Sequence, residues 1–517
     1  MKPGVLAALI AIAGCGKSSP SENRTASGAA SGTASGTASG TAGGSAQPAP
    51  VKPAPPAVPL TADPGGATGK VRWAASFGGF GTDYARAVAV NAAGQIAVAG
   101  YFDGEATFGK LGTRKATPSA DAKKPTSDVF VVGLDATGAP TWVDTFGAAR
   151  DDVANGVAVG KDGTTVVTGN FLDSLDVASS DGKIHLTAKA AGSDDLFAAA
   201  FDKTGKPLWL WTSGGIDSDG ANAIVATPDG GWLVGGSFTG EAKFGPTTYE
   251  SMGGTDALLV KLAPTGDVQW AQQMGGAYND SINALALDGA GNIYLLAEFV
   301  DTAKFGGAPL PNAGDAYADL AVAKLDPNGK HVWSKSFGSK SAEAAGGIAA
   351  DPAGNVTVSG SFEATLLLDG QSYNAVGQYD LIVAHFDTNG ATQWVKTWGG
   401  EGTDIAAAIA ADASGNTVLT GWFEGSVVFG EKVVSSKGNR DILTVKIDPK
   451  GAITWIDTFG DHDHDQARAV AIDGDGNPII TGVYRYAFDA VTPPLQSVRK
   501  PDEKLPNTDI LVVGLAR

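Results

Sequence analysis

Short runs of Val, Ile, Ala and Thr, separated by Gly, Asp and Asn, recur along the chain from residue 71 to its end. They form a unit of four predicted strands. The first is crowded with Ala, Gly and Val (as in 85–90), the second is of the type 96–102, the third of the type 128–134, and the fourth carries a tryptophan. No long stretch has the periodicity of an amphipathic helix. The pattern therefore predicts an all-β repeat protein.

Seven tryptophans set the register of this repeat. Their spacings are 69, 67, 61, 63, 61 and 61 residues, and alignment on them needs no gap over the next 29 positions. Each is followed by Gly after five residues, an acid after ten and an aromatic residue after 29, and an Asp lies 14 residues before each of the last six. The tryptophans are Trp73, Trp142, Trp209, Trp270, Trp333, Trp394 and Trp455.

The two ends of the repeat region are complementary. The last repeat has its first three strands, ending with 509–515, and lacks a tryptophan strand, whereas the strand 71–77 has no three strands before it. Four-stranded units at this period are typical of propeller blades. We therefore expect a seven-bladed β-propeller at 71–517, with the N-terminal strand closing the last blade. Such closure removes exposed sheet edges, which promote aggregation.

The repeat motif is W-x3-F/W-G-x4-D/E-x-A, followed by G-N-x3-T/S-G-x-F. It resembles the SBBP-type β-propeller repeat of bacterial exported proteins, and it covers residues 71–517. The resemblance implies a propeller fold but no single activity. Glu343 replaces the usual Asp and Ala297 replaces the usual Gly, so two repeats depart slightly from the motif.

The N-terminus has the features of an export signal. Lys2 precedes an apolar run, residues 5–14, which is too short to span a bilayer. The segment 12–15 resembles a bacterial lipoprotein lipobox. This resemblance implies a signal peptide at 1–14 and lipidation of Cys15 by fatty acids such as palmitate. An ordinary signal peptide is the alternative. Residues 15–70 are a Ser/Gly/Ala/Pro-rich linker.

These features predict a protein held in the cell envelope by its N-terminal lipid. Gly16 after the cysteine favours the outer membrane, on its periplasmic side or at the cell surface. The formal net charge is −18 and no basic stripe occurs. Because such a chain repels phosphate backbones, nucleic acid is excluded as a partner. We expect a monomer.

One acid per repeat lies on the loop before a predicted first strand. Seven carboxylates around a channel mouth are a candidate cation-binding ring. A short acid in a Gly-rich turn also accepts hydrogen bonds from backbone N–H groups, and its presence in all repeats favours this structural role. The seven acids are Asp83, Asp152, Asp219, Asp280, Glu343, Asp404 and Asp465.

The position three residues after these acids varies between repeats. In a closed ring, two arginines at this position are neighbours and three asparagines lie to one side of them. Guanidinium and amide groups suit a small anion or carboxylate; the alternative is that they bind inner acids and loop carbonyls. The seven residues are Arg86, Asn155, Asn222, Asn283, Gly346, Ala407 and Arg468.

A His/Asp-rich loop is the candidate metal site. Within residues 461–465, His462, Asp463 and His464 are types that bind transition metals, although a solvated polar loop is the alternative. Structural zinc spacing is absent from the sequence. No nucleophile paired with a base is found. No catalytic residue is predicted, and no cofactor except the divalent cation that these clusters would hold.

We therefore expect a non-catalytic binding or scaffolding lipoprotein. Its predicted partner is a protein or a glycan, bound at the face decorated by the inserts 103–127, 172–194 and 485–508. The alternative is an extracytoplasmic propeller enzyme, glycan-acting and metal-assisted. A third alternative is a purely structural envelope protein.

Overall fold

The computed structural model describes residues 69–119, 126–178, 185–314, 317–498 and 507–517. The predicted signal peptide, Cys15 and all of the linker except Gly69 and Lys70 lie outside the described residues. The described part is an all-β structure whose only helical turn is the 3-10 segment Gly109–Leu111. Within it, no helix is long and apolar enough to cross a membrane.

The described strands build seven groups of four, here called sheets 1 to 7, each antiparallel in the order first, second, third, fourth. Sheet 1 contains Asp83–Val90, Ile96–Asp103, Ser127–Leu134 and Pro140–Phe146. Sheet 2 contains Asp152–Val159, Thr165–Ala178, His185–Phe201 and Pro207–Gly215. Sheet 3 contains Gly220–Ala226, Trp232–Phe244, Thr247–Leu262 and Val268–Gly276. Sheet 4 contains Asp280–Leu287, Ile293–Phe299, Asp319–Leu325 and His331–Phe337.

The remaining three sheets follow the same order. Sheet 5 contains Glu343–Ala350, Val356–Phe362, Asp380–Phe386 and Thr392–Trp398. Sheet 6 contains Asp404–Ala411, Thr417–Phe423, Asp441–Ile447 and Ile453–Phe459. Sheet 7 contains Gln466–Ile472, Pro478–Tyr484, Asp509–Leu515 and, as its fourth strand, Val71–Phe80.

The fourth strand of sheet 7 comes from the beginning of the described chain. Val71–Phe80 pairs antiparallel with Asp509–Leu515, from Val71 opposite Leu515 to Phe77 opposite Ile510. It is three residues longer than the predicted strand because Gly78–Phe80 pairs with a second segment, Glu105–Thr107.

Neighbouring sheets pack face to face. The first strand of each sheet contacts the first strand of the next, and that of sheet 7 contacts that of sheet 1. Each core cluster in the described residues lies between two neighbouring sheets, and one of them joins sheets 7 and 1. First strands are rich in Gly and Ala because they approach closely: a Cβ on Gly347 would lie 2.8 Å from the backbone nitrogen of Ile409 in sheet 6. This is a β-propeller-like all-β fold.

The repeat tryptophans join neighbouring sheets on their fourth strands. Trp142 of sheet 1 packs on Gly205 in the third-to-fourth turn of sheet 2, where a Cβ would lie 2.6 Å from the indole. Trp209 Nε1 also donates a hydrogen bond to the carbonyl of Pro264 at 2.9 Å. Trp455 of sheet 6 packs in the same way, but its glycine is Gly69, before the first strand of the chain.

Each sheet carries an extension between its second and third strands, here called an arm. In sheets 2 and 3 the arm continues the long second and third strands. The short arm strands elsewhere are Glu105–Thr107, Thr113–Lys115, Ala303–Lys304, Thr365–Leu368, Gln371–Asn374, Ser426–Phe429, Lys432–Ser435, Ala487–Phe488 and Leu495–Gln496. The three predicted inserts all fall in arms; their residues 120–125, 179–184 and 499–506 lie outside the described part, as do 315–316 of the arm of sheet 4.

Candidate binding site on the arm face

The arms and the loops that lead to each first strand share one end of the sheets. In sheet 1, Asp83 at the start of the first strand lies opposite Phe102, and Phe102 lies opposite Asp128 at the start of the third strand. We call this end the arm face and the opposite end, which holds the first-to-second and third-to-fourth turns, the turn face. All the residues singled out by the sequence as a ring lie at or near the arm face.

The seven predicted ring acids fix the loops that precede them. In every sheet a carboxylate oxygen accepts a hydrogen bond from the backbone N–H four residues earlier, at 2.7–3.2 Å. The donor residues are Gly79, Ala148, Gly215, Gly276, Ser339, Gly400 and Asp461. This arrangement matches the structural alternative for the ring, since one lone pair of each acid is already used.

A second acidic residue in each sheet, at the point where the third strand leaves the arm, holds the arm. Its carboxylate accepts a backbone N–H from the arm at 2.6–3.0 Å. The seven residues are Asp128, Asp195, Asp256, Asp319, Asp380, Asp441 and Asp509. The sequence showed their regular spacing but not this role, because the arms differ in length and sequence.

The two acids meet around the glycine that follows each tryptophan by five residues. A Cβ on Gly147 would lie 2.6 Å from Asp128 Oδ1 and 2.8 Å from Asp152 Oδ2. Only glycine leaves room for both carboxylates. In each of the seven pairs, Oδ1 of one or both acids is buried without a hydrogen-bond partner in the described residues.

Burial raises the pKa values of the acids in these pairs. Burial, reinforced by the charge of Asp509, raises the pKa of Asp83 to about 8. Burial, reinforced by Asp128, likewise raises the pKa of Asp152 to about 8. Burial is the largest cause of the raised pKa in all seven ring acids, and the charge of the partner acid raises the pKa of each further.

The variable position lies at a β-bulge in every first strand. The register shifts between residues 85 and 87 of sheet 1 and between 467 and 469 of sheet 7, and the other five first strands shift at the equivalent place. A bulge leaves its extra residue unpaired and re-aims that side chain. The spacing of the repeat does not indicate the bulge, because an inserted residue that occurs in all seven repeats leaves the spacing constant.

Arg86 and Arg468 lie near each other, together with two stacked tyrosines. The Arg86 guanidinium is 5.0 Å from the centre of the Tyr101 ring, and that of Arg468 is 5.8 Å from the centre of the Tyr84 ring. The two rings stack with centres 5.4 Å apart. We call these four residues the Arg–Tyr cluster. Burial lowers the pKa of Arg468, and the positive charge of Arg86 contributes to the shift.

The three asparagines are occupied by bonds within and between sheets. Asn155 Nδ2 donates to the carbonyl of Ala221 in sheet 3, and Asn222 Nδ2 donates to that of Ile282 in sheet 4, both at 3.0 Å. Asn283 Oδ1 accepts the N–H of Glu298 at 3.1 Å. These contacts match the alternative role for the asparagines. A ligand site at this position is therefore reduced to the two arginines, since Gly346 and Ala407 offer no polar side chain.

The His/Asp loop is spread out. The exposed His462 ring lies 4.5 Å from the Tyr486 ring centre, and its Nδ1 is 3.6 Å from Asp461 Oδ2. His464 Nε2 is instead 3.7 Å from Asp463 Oδ1, an oxygen that Arg485 also approaches at 3.6 Å. The two imidazoles thus contact different carboxylates. Throughout the described ranges, no group of three or more His, Cys, Asp or Glu side chains is arranged to hold a metal ion.

Two further features of the arm face were not singled out from the sequence. Ile216 and Val376 are 73% and 71% exposed, and both lie on arms or the loops beside them. Between the arms of sheets 5 and 6 is an open cleft of about 930 Å³, lined among others by Val376, Trp398 and Glu424. Sequence spacing could not identify these positions, because exposure there depends on how each arm folds back.

Comparison with known sequences gives a match over part of the chain. No family model matches the chain. The chain is 26% identical to the regulatory protein FlaEY of Caulobacter vibrioides over 171 residues, which are 32% of this chain and 18% of FlaEY. It therefore spans less than a fifth of that relative's length.

Solved structures with a related arrangement are distant. Sqt1 from Chaetomium thermophilum has a TM-score of 0.37 at 11% identity, covering 87% of this chain and 99% of Sqt1. A gluconolactonase from Xanthomonas campestris has a TM-score of 0.33 at 10% identity, covering 70% and 86%. A puromycin hydrolase has a TM-score of 0.30 at 11% identity, covering 82% and 60%. Since one fold hosts many functions, similarity at this level says nothing about activity.

Proposed function

We propose that the protein is a seven-bladed β-propeller in which sheets 1 to 7 are the blades and Val71–Phe80 closes the seventh. The antiparallel pairing of Val71–Phe80 with Asp509–Leu515 supports this proposal. So do the cyclic contacts of the first strands and the core cluster between sheets 7 and 1. A ring of this kind covers both faces of each sheet, which agrees with the burial of the second and third strands along their whole length in sheets 5, 6 and 7.

The propeller is a non-catalytic binding or scaffolding module of the cell envelope. Lipidated Cys15 holds it to the membrane, in the outer membrane by the lipobox rule, and the arm face binds a protein or a glycan. The observation that carries this proposal is the position of Gly69. It packs on Trp455 in the closing turn of sheet 7, on the turn face. The described chain therefore begins at the turn face, opposite the arms proposed to meet a partner.

Exposed apolar side chains on the arm face support a binding role. Ile216 and Val376 lie on the rim formed by arms and loops, where isolated water-exposed aliphatic groups offer contact area to a partner. Comparable residues off this face, Leu208 (47% exposed) and Val332 (52%), lie on fourth strands. These four residues provide matched variants.

The test compares retention of the protein by its own envelope fraction. Ile216→Asp combined with Val376→Asp should reduce retention about tenfold or more, because acids in the centre of an apolar contact remain desolvated and unpaired. Leu208→Asp combined with Val332→Asp should retain wild-type binding. Both double variants must keep the wild-type unfolding midpoint. Equal retention of the two pairs would contradict binding through the arm face.

The second candidate is a metal-assisted extracytoplasmic enzyme acting on glycans. It depends on His462, Asp463 and His464, whose imidazoles contact different carboxylates. Metal analysis of the dialysed protein tests it directly. A stoichiometric transition metal that is lost in His462→Ala and His464→Ala would replace the binding proposal by the enzymatic one.

A further inference from the structure

Arg86 and Arg468 lack the negative partner that two other arginines near the arm face, Arg440 and Arg485, have. Arg440 Nε lies 2.8 Å from Glu424 Oε1, and Arg485 Nη1 lies 3.6 Å from Asp463 Oδ1. In the part of the chain that the structure describes, no carboxylate lies within ion-pair distance of Arg86 or Arg468. The cations that act on Arg468 from the two neighbouring sheets are Arg86 and Arg440, and both lower its pKa.

The hydrogen bonds of the two guanidinium groups are also incomplete. Arg86 Nη1 donates to Asn155 Oδ1 at 2.5 Å, and Arg468 Nη2 donates to Gln466 Oε1 at 2.6 Å. Both acceptors are neutral. Arg468 Nε is buried with no hydrogen-bond partner among the described residues. A guanidinium has five N–H donors, so most donors of both side chains remain available.

Two like charges withdrawn from water are unfavourable unless an anion accompanies them. Glu298 is a buried carboxyl on the second strand of sheet 4, and it accepts the backbone N–H of Ala345 at 2.8 Å. Sheet 4 is three sheets away from both sheet 7 and sheet 1. Glu298 therefore does not neutralise the arginines.

The surroundings of the arginines suit a flat oxyanion. The bulges re-aim both side chains from the first strands of sheets 7 and 1. Tyr84 and Tyr101 provide stacked ring faces beside the guanidinium groups. Guanidinium forks bind carboxylate and phosphate oxygens in pairs, which gives both charge and geometry.

We infer that the Arg–Tyr cluster is a binding site for an oxyanion, a carboxylate or phosphate group that supplies the missing negative charge between Arg86 and Arg468. The site is separate from the apolar rim of the arm face and does not depend on the partner proposed for that rim. The oxyanion is either a free inorganic ion or the acidic group of a sugar.

Isothermal titration calorimetry of the purified protein in chloride-free, low-salt buffer tests this site. Inorganic phosphate and galacturonate are titrated separately. Saturable binding of phosphate alone identifies a free anion, and binding of galacturonate, alone or more tightly, identifies an acidic sugar. Arg86→Gln and Arg468→Gln should each weaken binding about tenfold or more, since each removes charge-assisted hydrogen bonds.

Glu298→Gln is the matched control. It replaces a buried ionisable side chain of another sheet and should leave the affinity unchanged. If an arginine variant does not fold, the wild-type protein still tests the oxyanion site. Its unfolding temperature should rise saturably with the bound anion at constant ionic strength. Absence of saturable binding of both anions by the wild-type protein overturns the inference, as does wild-type affinity in the folded arginine variants.

Discussion

The backbone N–H of Ala516 donates a hydrogen bond to the carbonyl oxygen of Lys70 at 2.8 Å, joining two residues at opposite ends of the described chain. In the other six sheets the same bond closes the third-to-fourth turn, as between Asp135 N–H and the Ala139 carbonyl at 3.0 Å. In sheet 7 the two sides of this turn thus come from distant parts of the sequence, and a hydrogen bond joins them. Its strength therefore depends on the strand that follows Lys70.

Removal of Val71–Phe80 should destabilise the whole ring. Phe77 alone is 2% exposed, and loss of such a core phenylalanine costs about 3–5 kcal/mol. We compare proteins that begin at residue 69 and at residue 81 by urea denaturation. The longer protein should unfold at the midpoint of the full chain and the shorter one at a much lower midpoint. Equal midpoints would show that the strand does not close sheet 7.

Gly147 should not tolerate a methyl group. Alanine would place Cβ against the carboxylates of both Asp128 and Asp152, and overpacking of this kind costs about 1–3 kcal/mol. Gly220→Ala is the control, because nothing lies within 4 Å of its Cβ position. Chemical denaturation should show destabilisation by Gly147→Ala only. If both variants unfold like the wild type, Asp128 and Asp152 do leave room for a methyl group at Gly147.

The regular spacing of the repeat made much of this fold predictable. The all-β class is confirmed. The strand 71–77, which has no three strands before it in the sequence, pairs with the third strand of sheet 7. Even so, the linker boundary was placed after residue 70, although Gly69 supplies the turn glycine under Trp455. A glycine in a Gly-rich linker carries no signal of its own.

The candidate site was less predictable, since it depends on contacts between sheets. The sequence grouped Asn155 and Asn222 with Arg86. Asn155 Oδ1 does accept a hydrogen bond from Arg86, but the Nδ2 groups of both asparagines donate to carbonyls of the next sheet. Trp422 and Arg440, whose guanidinium lies 4.2 Å from the indole ring, occupy different repeat positions and were not associated. Side chains at one repeat position share a location, but their partners depend on neighbours that the repeat does not specify.

Cys15→Ser should release the protein from the membrane. The proposed anchor is covalent lipid on this thiol, and each buried CH₂ of such a chain contributes about 0.8 kcal/mol to membrane binding. Cells grown with labelled palmitate should label the wild-type protein and not the variant, which should move to the soluble fraction. Its unfolding midpoint should stay that of the wild-type propeller. A labelled or membrane-bound variant would contradict lipidation at Cys15.

The buried acid pairs should make the protein more stable in mild acid than in mild alkali. Burial raises the folded-state pKa of Asp83, Asp152 and Asp465 to about 8, from a usual value of 3.8. Groups with a raised pKa contribute stability that is complete below about pH 4 and is lost as the pH rises towards 8. The urea midpoint should therefore fall steadily between these limits.

Asp152→Asn tests the source of this pH dependence. Its amide oxygen can still accept the Ala148 N–H that Asp152 accepts at 2.7 Å, but the side chain no longer titrates. The variant should lose less stability than the wild type between pH 5 and pH 8, whereas substitution of exposed Asp267, in a turn of the opposite face, by Asn should not change the slope. Calcium should leave both curves unchanged. If calcium instead stabilises the wild type at pH 8 and removes its slope, the acids form a cation-binding ring, because a bound cation lowers the pKa of its carboxylate ligands.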